Sequence, residues 1–454
     1  MYSSYSSLQQ SQLAAQGYYD TQSTYLLVYA PGRNTALRAT LADQLHRKFR
    51  LADTLGSALT EGVDGVLLVS EDVECMSTAL MCFAKALQDG ADYAVCNAVF
   101  GFGGATALYQ SRAHLAQNRC ALVSRPLLER CRAAAKDPEN VTELLALAAQ
   151  FCAHPARIPL ALLHYERDIC AEDAFSATGK RAFLMSHVLD MTGAPIVLVS
   201  AVPVLRSMGY EVVVLGPSDG GALQLFVDAG AAVITRPGIR ATPNLWGLAL
   251  CTDLVLVNTV VMARTVRALS GTAVPVLWWL HDAFAGYPHI AHQIPTKLAE
   301  NVRLYSVGHH AANAMHAVRP DFQIGQLIYG LPDYAAEDFP RCDLGYPADK
   351  PLFATVGSFE RRKGHDIFCA AIRLLPEEVR NKATFLFVGM AADKEMMDAV
   401  RSLTTDCPEN VFYCKRLSRD EIKNLMEQCT CLVCASRDDP MPTFVTEGLI
   451  FGKP

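Results

Sequence analysis

From about residue 180 onward the sequence predicts an α/β protein with doubly wound parallel sheets. Three observations carry this. Short runs are apolar at every position, as strands covered on both faces require. Each run is followed by a stretch with helical spacing of its apolar residues. The loops between them are polar and rich in glycine and proline, and lie where such sheets bind ligands. At 454 residues and 51% hydrophobic content, the chain can hold two or three domains with their own cores.

Composition sets further bounds. A formal net charge of −6 gives no electrostatic case for nucleic acid. No apolar run reaches the roughly eighteen residues of a spanning helix. Residues 1–24 are rich in Ser, Gln and Tyr and lack a basic start and an apolar stretch. They read as a disordered lead and not as a signal peptide. Most of the fifteen cysteines sit inside apolar runs, as core thiols in a reducing cytoplasm would. Cys431 and Cys434 have a zinc-like gap, but they fall on an expected strand with no second ligand pair nearby.

In the first folded segment, residues 25–168, strands are expected at 25–29, 65–70, 93–99 and 120–123, and helices at 80–87, 127–134 and 141–152. A turn follows to 159, and the polar stretch 166–179 reads as a linker. Ser70, Glu71, Asp72, Val73 and Glu74 end an apolar strand. Acids there can hold a divalent ion and, through it, a diphosphate, with Asp72 the candidate ligand. The glycine-rich stretch 101–104 lacks the dinucleotide fingerprint and reads as a turn.

The next domain begins at Lys180. Strands are expected at 181–186, 211–215, 232–234, 253–258 and 274–280, and helices at 196–208 and 222–230. The turn around Gly193 closes the first strand, and His281 closes the last. On spacing alone, a lone histidine reads better as a hydrogen-bonded structural residue. His309, His310 and His316 read as surface or cleft-lining residues, because no carboxylates are spaced to complete a metal site.

Residues 331–350, with several prolines and acids, read as a hinge. Beyond it come a strand at 352–357, a basic loop and a helix at 365–375. In that loop Lys363 is placed to neutralise a diphosphate, with Arg362 beside it, and Gly364 lets a backbone approach closely; the three consecutive cations read equally as a solvated loop. Strands at 384–389 and 411–413 follow, then a helix at 418–427 with Ser418 and Glu421 as a capping box. Last come a buried strand at 431–435, a loop, and a helix at 443–451. Free N–H groups at Thr443 and Phe444 suit a phosphate, and Asp439 and Glu447 suit hydroxyls; on spacing alone, a polar loop followed by an ordinary helix reads as well.

The stretch from Asp439 to Glu447, with Gly452, Lys453 and Pro454, resembles the signature of retaining glycosyltransferases of family 4. The resemblance implies the GT-B fold, two facing Rossmann-like doubly wound domains: 180–335 on the acceptor side and 350–454 on the donor side. It also implies a further strand–helix pair after Pro454, so the C-terminal domain reads as truncated. Family 4 has a glutamate where this chain has Asp439, and many relatives have an arginine where it has Ser358. Residues 33–125 look like a shortened, degenerate GT-A segment of family 2, with Asp72 in its metal motif.

The implied function is sugar transfer, with retention, from a nucleoside-diphosphate-sugar to the hydroxyl of a glycan or lipid-linked glycan, in polysaccharide or other glycan assembly. His281 and Asp439 would be catalytic. Gly193, Arg362, Lys363, Gly364, Thr443, Phe444 and Glu447 would bind the donor. No metal or other cofactor is expected. Peripheral membrane association stays open, as do two alternatives: a non-catalytic nucleotide-sugar- or carbohydrate-binding scaffold of a glycan-assembly complex, and a GT-B nucleotide-sugar epimerase. Residues 180–454 are expected to fold alone.

Overall fold

The computed structural model describes residues 21–32, 34–56, 59, 62–102, 105–110, 119–175, 179–239, 246–346, 349–415 and 417–454. The lead as far as residue 20, and Gly103 and Gly104 of the glycine-rich stretch, lie outside them. The chain divides into two compact units. One comprises Met1–Met191, Val202–Leu256 and Thr272–Pro275; the other comprises Thr192–Ala201, Val257–Gly271 and Val276–Pro454.

In the first unit, strands Leu26–Tyr29 (β1), Phe49–Ala52 (β2) and Gly65–Val69 (β3) are parallel, with β1 in the middle. A two-residue strand, Glu74–Cys75 (β4), follows. Tyr93–Phe102 (β5), Ala105–Gln110 (β6) and Cys120–Ser124 (β7) continue the sheet in antiparallel fashion: β3 pairs with β7, β7 with β5, and β5 with β6. The long strand Pro155–Asp168 (β8) runs parallel to β5 with register shifts and also pairs with β4. Apolar side chains of β1, β3 and β7 meet those of helices Arg125–Ala134 and Val141–Phe151 in one buried cluster. Ser124 and Asn140 cap these helices.

Strands Lys180–Met185 (β9), Tyr210–Gly216 (β10) and Ala232–Thr235 (β11) are parallel, as expected, and almost wholly buried. Their sheet does not stop at residue 180, however. β11 pairs antiparallel with β6, Val233 opposite Gln110 and Thr235 opposite Leu108. The stretch expected to form one domain, 180–335, is thereby shared between the two units.

Strand Leu254–Asn258 (β12) precedes the second unit's own strands. There Val276–Leu280 (β13), Val302–Ser306 (β14) and Ile324–Gln326 (β15) are parallel. Leu352–Val356 (β16), Thr384–Val388 (β17), Val411–Cys414 (β18) and Cys431–Leu432 (β19) form a second parallel sheet in the order β18-β17-β16-β19. Its core packs on helices His365–Leu374 and Lys394–Asp406. The stretch 431–435 is not the buried strand expected. Its ladder covers two residues at the edge of the sheet, and Cys434 is exposed. All fifteen thiols are free. Among the described residues, no helix is long and apolar enough to cross a membrane.

Candidate functional site

Three loops of the second unit, each following a parallel strand, carry most of the expected site residues. The loop after β16 turns through Arg361–Lys363 into helix His365–Leu374. The loop after β19 leads to helix Thr443–Ile450. The two are laced together. Arg362 O accepts from Arg437 N at 2.7 Å and from Asp438 N at 3.3 Å. Arg437 clasps Asp366 with two bonds, of 2.7 and 2.6 Å. Lys363 Nζ meets the Asp439 carboxylate, with the two side chains only 16% and 9% exposed. The expected diphosphate cation and the expected sugar-binding carboxylate are therefore one ion pair.

Gly364 has a left-handed backbone, φ +71°, and its close neighbour is protein. A β-carbon there would stand 1.9 Å from Ala435 O. The glycine lets the two loops touch. Arg362 Nε binds Glu360 at 2.7 Å, and Glu360 also accepts from Ser358. Burial raises the Glu360 pKa, but Ser358, Arg362 and Lys363 outweigh it and hold the group below the usual carboxylate range.

Helix Thr443–Ile450 has no side-chain cap; Pro442 precedes it. Its first internal bonds are Val445 N and Thr446 N to Pro442 O, which leaves Thr443 N and Phe444 N available. Gly193 opens helix Gly193–Ser207, and a β-carbon on it would lie 3.6 Å from Thr443 Cγ2. Glu447 is in the second turn, where the helix dipole gives an anion little help, and it is 7% exposed. Arg419 Nη1 donates to its Oε1 at 2.7 Å. Burial raises the Glu447 pKa, and Arg419 offsets only part of that. Arg419 itself lies over the ring of Tyr334. Sequence reading had no signal for this arginine, which lies 28 positions away.

The third loop follows β13. His281 packs against Trp279 with ring centroids 4.6 Å apart. Asp282, passed over in the sequence reading, accepts from Val260 N at 2.6 Å. Desolvation pushes its pKa up to about 6, against the opposing pull of Val260 N–H, His281 N–H and the Arg362 charge. Just after β12, Thr259 is the only non-glycine residue with positive φ among those described, at 71°. Strain of this kind gathers at functional sites.

In the first unit Asp72 has a structural task. Its two oxygens accept from Thr35 N, Thr35 Oγ1, Ala36 N and Leu37 N, the first turn of helix Thr35–Leu41. Burial raises its pKa, and these donors outweigh that and lower it. Glu71 is bound by Arg167 at 2.6 Å and Glu74 by His164 at 2.7 Å. Every acid of the expected metal motif is thus engaged, and no group of three possible ligands gathers anywhere among the described residues.

Comparison with known proteins bears on the same segments. Residues 178–316 match the family described as Glycosyl-transferase family 4, and residues 338–454 match Glycosyl transferases group 1. The two segments are similar to these families, and each match covers less than half of the chain. Among solved structures, sucrose-phosphate synthase from Thermosynechococcus elongatus is similar over 61% of this chain and 80% of its own, at 16% identity and a TM-score of 0.45. WaaG, a glycosyltransferase involved in lipopolysaccharide biosynthesis, is similar over 60% and 80%, at 17% identity and a TM-score of 0.47. No curated protein matches the chain. The matched segments hold every expected site residue except Asp72.

Proposed function

We propose that the chain transfers a sugar from a nucleoside-diphosphate-sugar to an acceptor hydroxyl with retention of anomeric configuration. The observation that carries this reading is the Lys363–Asp439 ion pair, four residues ahead of the uncapped helix start at Thr443 and Phe444. A diphosphate at that helix start would take hydrogen bonds from the two N–H groups and share the Lys363 charge. Asp439, released from Lys363, would then accept hydroxyls of the transferred sugar. Glu447 Oε2, which has no protein partner among the described residues, would accept from the ribose while Arg419 holds Oε1. His281 would line the sugar's other face, and Gly193 would leave room beside Thr443.

In the reaction, the bond from the anomeric carbon to the diphosphate oxygen breaks through an oxocarbenium-like state. The electron pair leaves with the diphosphate. The acceptor oxygen bonds to the anomeric carbon on the same face, and its proton passes to the departing oxygen. Lys363 and the helix N–H groups stabilise the charge that develops, so no divalent ion is needed. The acids around Asp72 serve the fold of the first unit. Glycan assembly in the cytoplasm agrees with the fifteen free thiols.

A thermal-shift screen over nucleoside-diphosphate-sugars, followed by assay of free nucleotide and of product stereochemistry, tests the proposal. One donor should stabilise the chain and be turned over with retention. Stabilisation without turnover would assign a binding scaffold instead; an altered free sugar without acceptor would assign an epimerase; no stabilisation by any donor would overturn the reading.

A further inference from the structure

Asp438, beside Asp439, has no part in the scheme above, yet its side chain makes three hydrogen bonds. Its Oδ1 accepts from Phe284 N at 3.2 Å and faces His310 Nε2 at 2.7 Å, and its Oδ2 accepts from Ala285 N at 2.8 Å. The carboxylate is 17% exposed. Burial raises its pKa, but His310 and the two N–H groups outweigh that and hold it below the usual range. The Phe284 ring meets the His310 ring edge-on, with centroids 5.2 Å apart. One carboxylate therefore joins three segments: the loop after β13, the first turn of helix His309–His316, and the loop before helix Thr443–Ile450.

What it joins gives it meaning. Phe284 lies three residues after His281, in the loop that would face the sugar. Asp438 N is itself bound to Arg362 O, next to Lys363. A partly buried carboxylate with two backbone donors and a histidine is a strong, charge-assisted clasp. A second link runs from Tyr329 OH to Met441 O at 3.0 Å, but it holds only the far end of the 436–442 loop.

We infer that Asp438 is a positioning residue that fixes the His281 loop against the loops carrying Lys363 and Asp439, so that a nucleoside diphosphate bound by the latter orders the former. The coupling rests on the donor-site reading above; the clasp does not. His310 is the side-chain half of the clasp, and a glutamine there can still donate to Asp438.

Amide hydrogen exchange on the full chain tests this, with UDP, ADP and GDP as probes and with D438A, H310A and H310Q as variants. Without nucleotide, D438A should speed exchange at residues 283–286 by about tenfold, as loss of a hydrogen bond to each of two amides would. In the parent, the nucleotide that binds should slow exchange at 361–367, at 443–446 and also at 283–286. In D438A the first two effects should persist and the third vanish. H310Q should behave as the parent, and H310A should lie between parent and D438A. Unchanged exchange at 283–286 in nucleotide-free D438A would overturn the clasp. Equal loss of protection in all three segments would overturn the positioning role, since it would mean that the loops merely unfold. Should no nucleotide protect any segment of the parent, the donor site falls, while the nucleotide-free comparison still decides the clasp.

Discussion

Lys363 and Asp439 are held together with little solvent between them, so each is part of the other's environment. Truncating Lys363 alone removes a diphosphate contact and also strands a buried carboxylate. Affinity for nucleoside diphosphate should fall by roughly one to two orders of magnitude, since a charge-assisted bond contributes about 1.5–3 kcal/mol. Stability should fall as well, by about 1–3 kcal/mol. Adding Asp439→Asn to Lys363→Ala separates the two effects: chemical denaturation should show most of the stability restored, and titration should show affinity still low. Affinity that recovers together with stability would make Lys363 a structural residue only. In the parent, EDTA should leave nucleotide affinity unchanged. Asp282 offers a test by pH. Its folded pKa of about 6 lies above the ordinary aspartate value, so the folded state holds a proton that the unfolded state releases first. The group therefore costs stability as pH rises from about 4 to about 6, by roughly 2–3 kcal/mol in all. Asp282→Asn should stabilise the protein by a comparable amount at pH 7.5 and change little at pH 4, as read from denaturation midpoints at the two values. An equal effect at both would show that Asp282 titrates normally.

The loops depend on single backbone positions, and Gly364 is the clearest. Gly364 and Gly452 both have positive φ, 71° and 67°, but a β-carbon at Gly364 meets Ala435 O at 1.9 Å, and one at Gly452 meets nothing within 4 Å. Gly452→Ala should cost only the left-handed penalty, about 1–2 kcal/mol. Gly364→Ala must also push the 436–439 loop away, and should cost at least about 3 kcal/mol and weaken nucleotide binding with it. Equal losses in the two variants would show that the loop moves freely. Elements such as the helix Arg419–Gln428 were legible because a local rule marks them: Ser418 and Glu421 form the expected capping box. Strands β9, β10 and β13 were legible because they are apolar on both faces. Strand β8 was not. It contains Pro155 and Pro159, ends in His164, Glu166, Arg167 and Asp168, and pairs with β5 through register shifts that break the alternation. The helix Lys394–Asp406 was passed over although its signal is present: Asp393 caps it, and Met396, Met397, Val400 and Leu403 share a buried face. In the site, residue types were legible and their partners were not. Lys363 with Asp439 and Glu447 with Arg419 are pairings set by tertiary packing, which no spacing along the chain records.

At the scale of the molecule, the pairing of β6 with β11 bears on whether residues 180–454 can stand alone. The expectation that they fold by themselves treats β9, β10 and β11 as a sheet complete in itself. In the structure the outer side of β11 is taken by β6, with three residue pairs in register. All four residues of β11 are buried. Deleting residues 1–175 would remove β6 and leave an apolar, unprotected edge, the feature that natural sheets cover or charge to prevent edge-to-edge pairing. It would also remove Phe175, over which the Arg181 guanidinium lies at 5.6 Å. The second unit loses none of its own strands. The shortened chain should therefore keep the sheet built on β16 and β17, bind hydrophobic dye, and self-associate through β11. Placing a lysine at Val233 in the shortened chain would charge that edge and should reduce the association. Size-exclusion chromatography with dye binding reads both. A monomer that unfolds cooperatively at the parent's temperature would show instead that residues 180–454 are complete without the first segment, and that β6 only rests against a finished sheet.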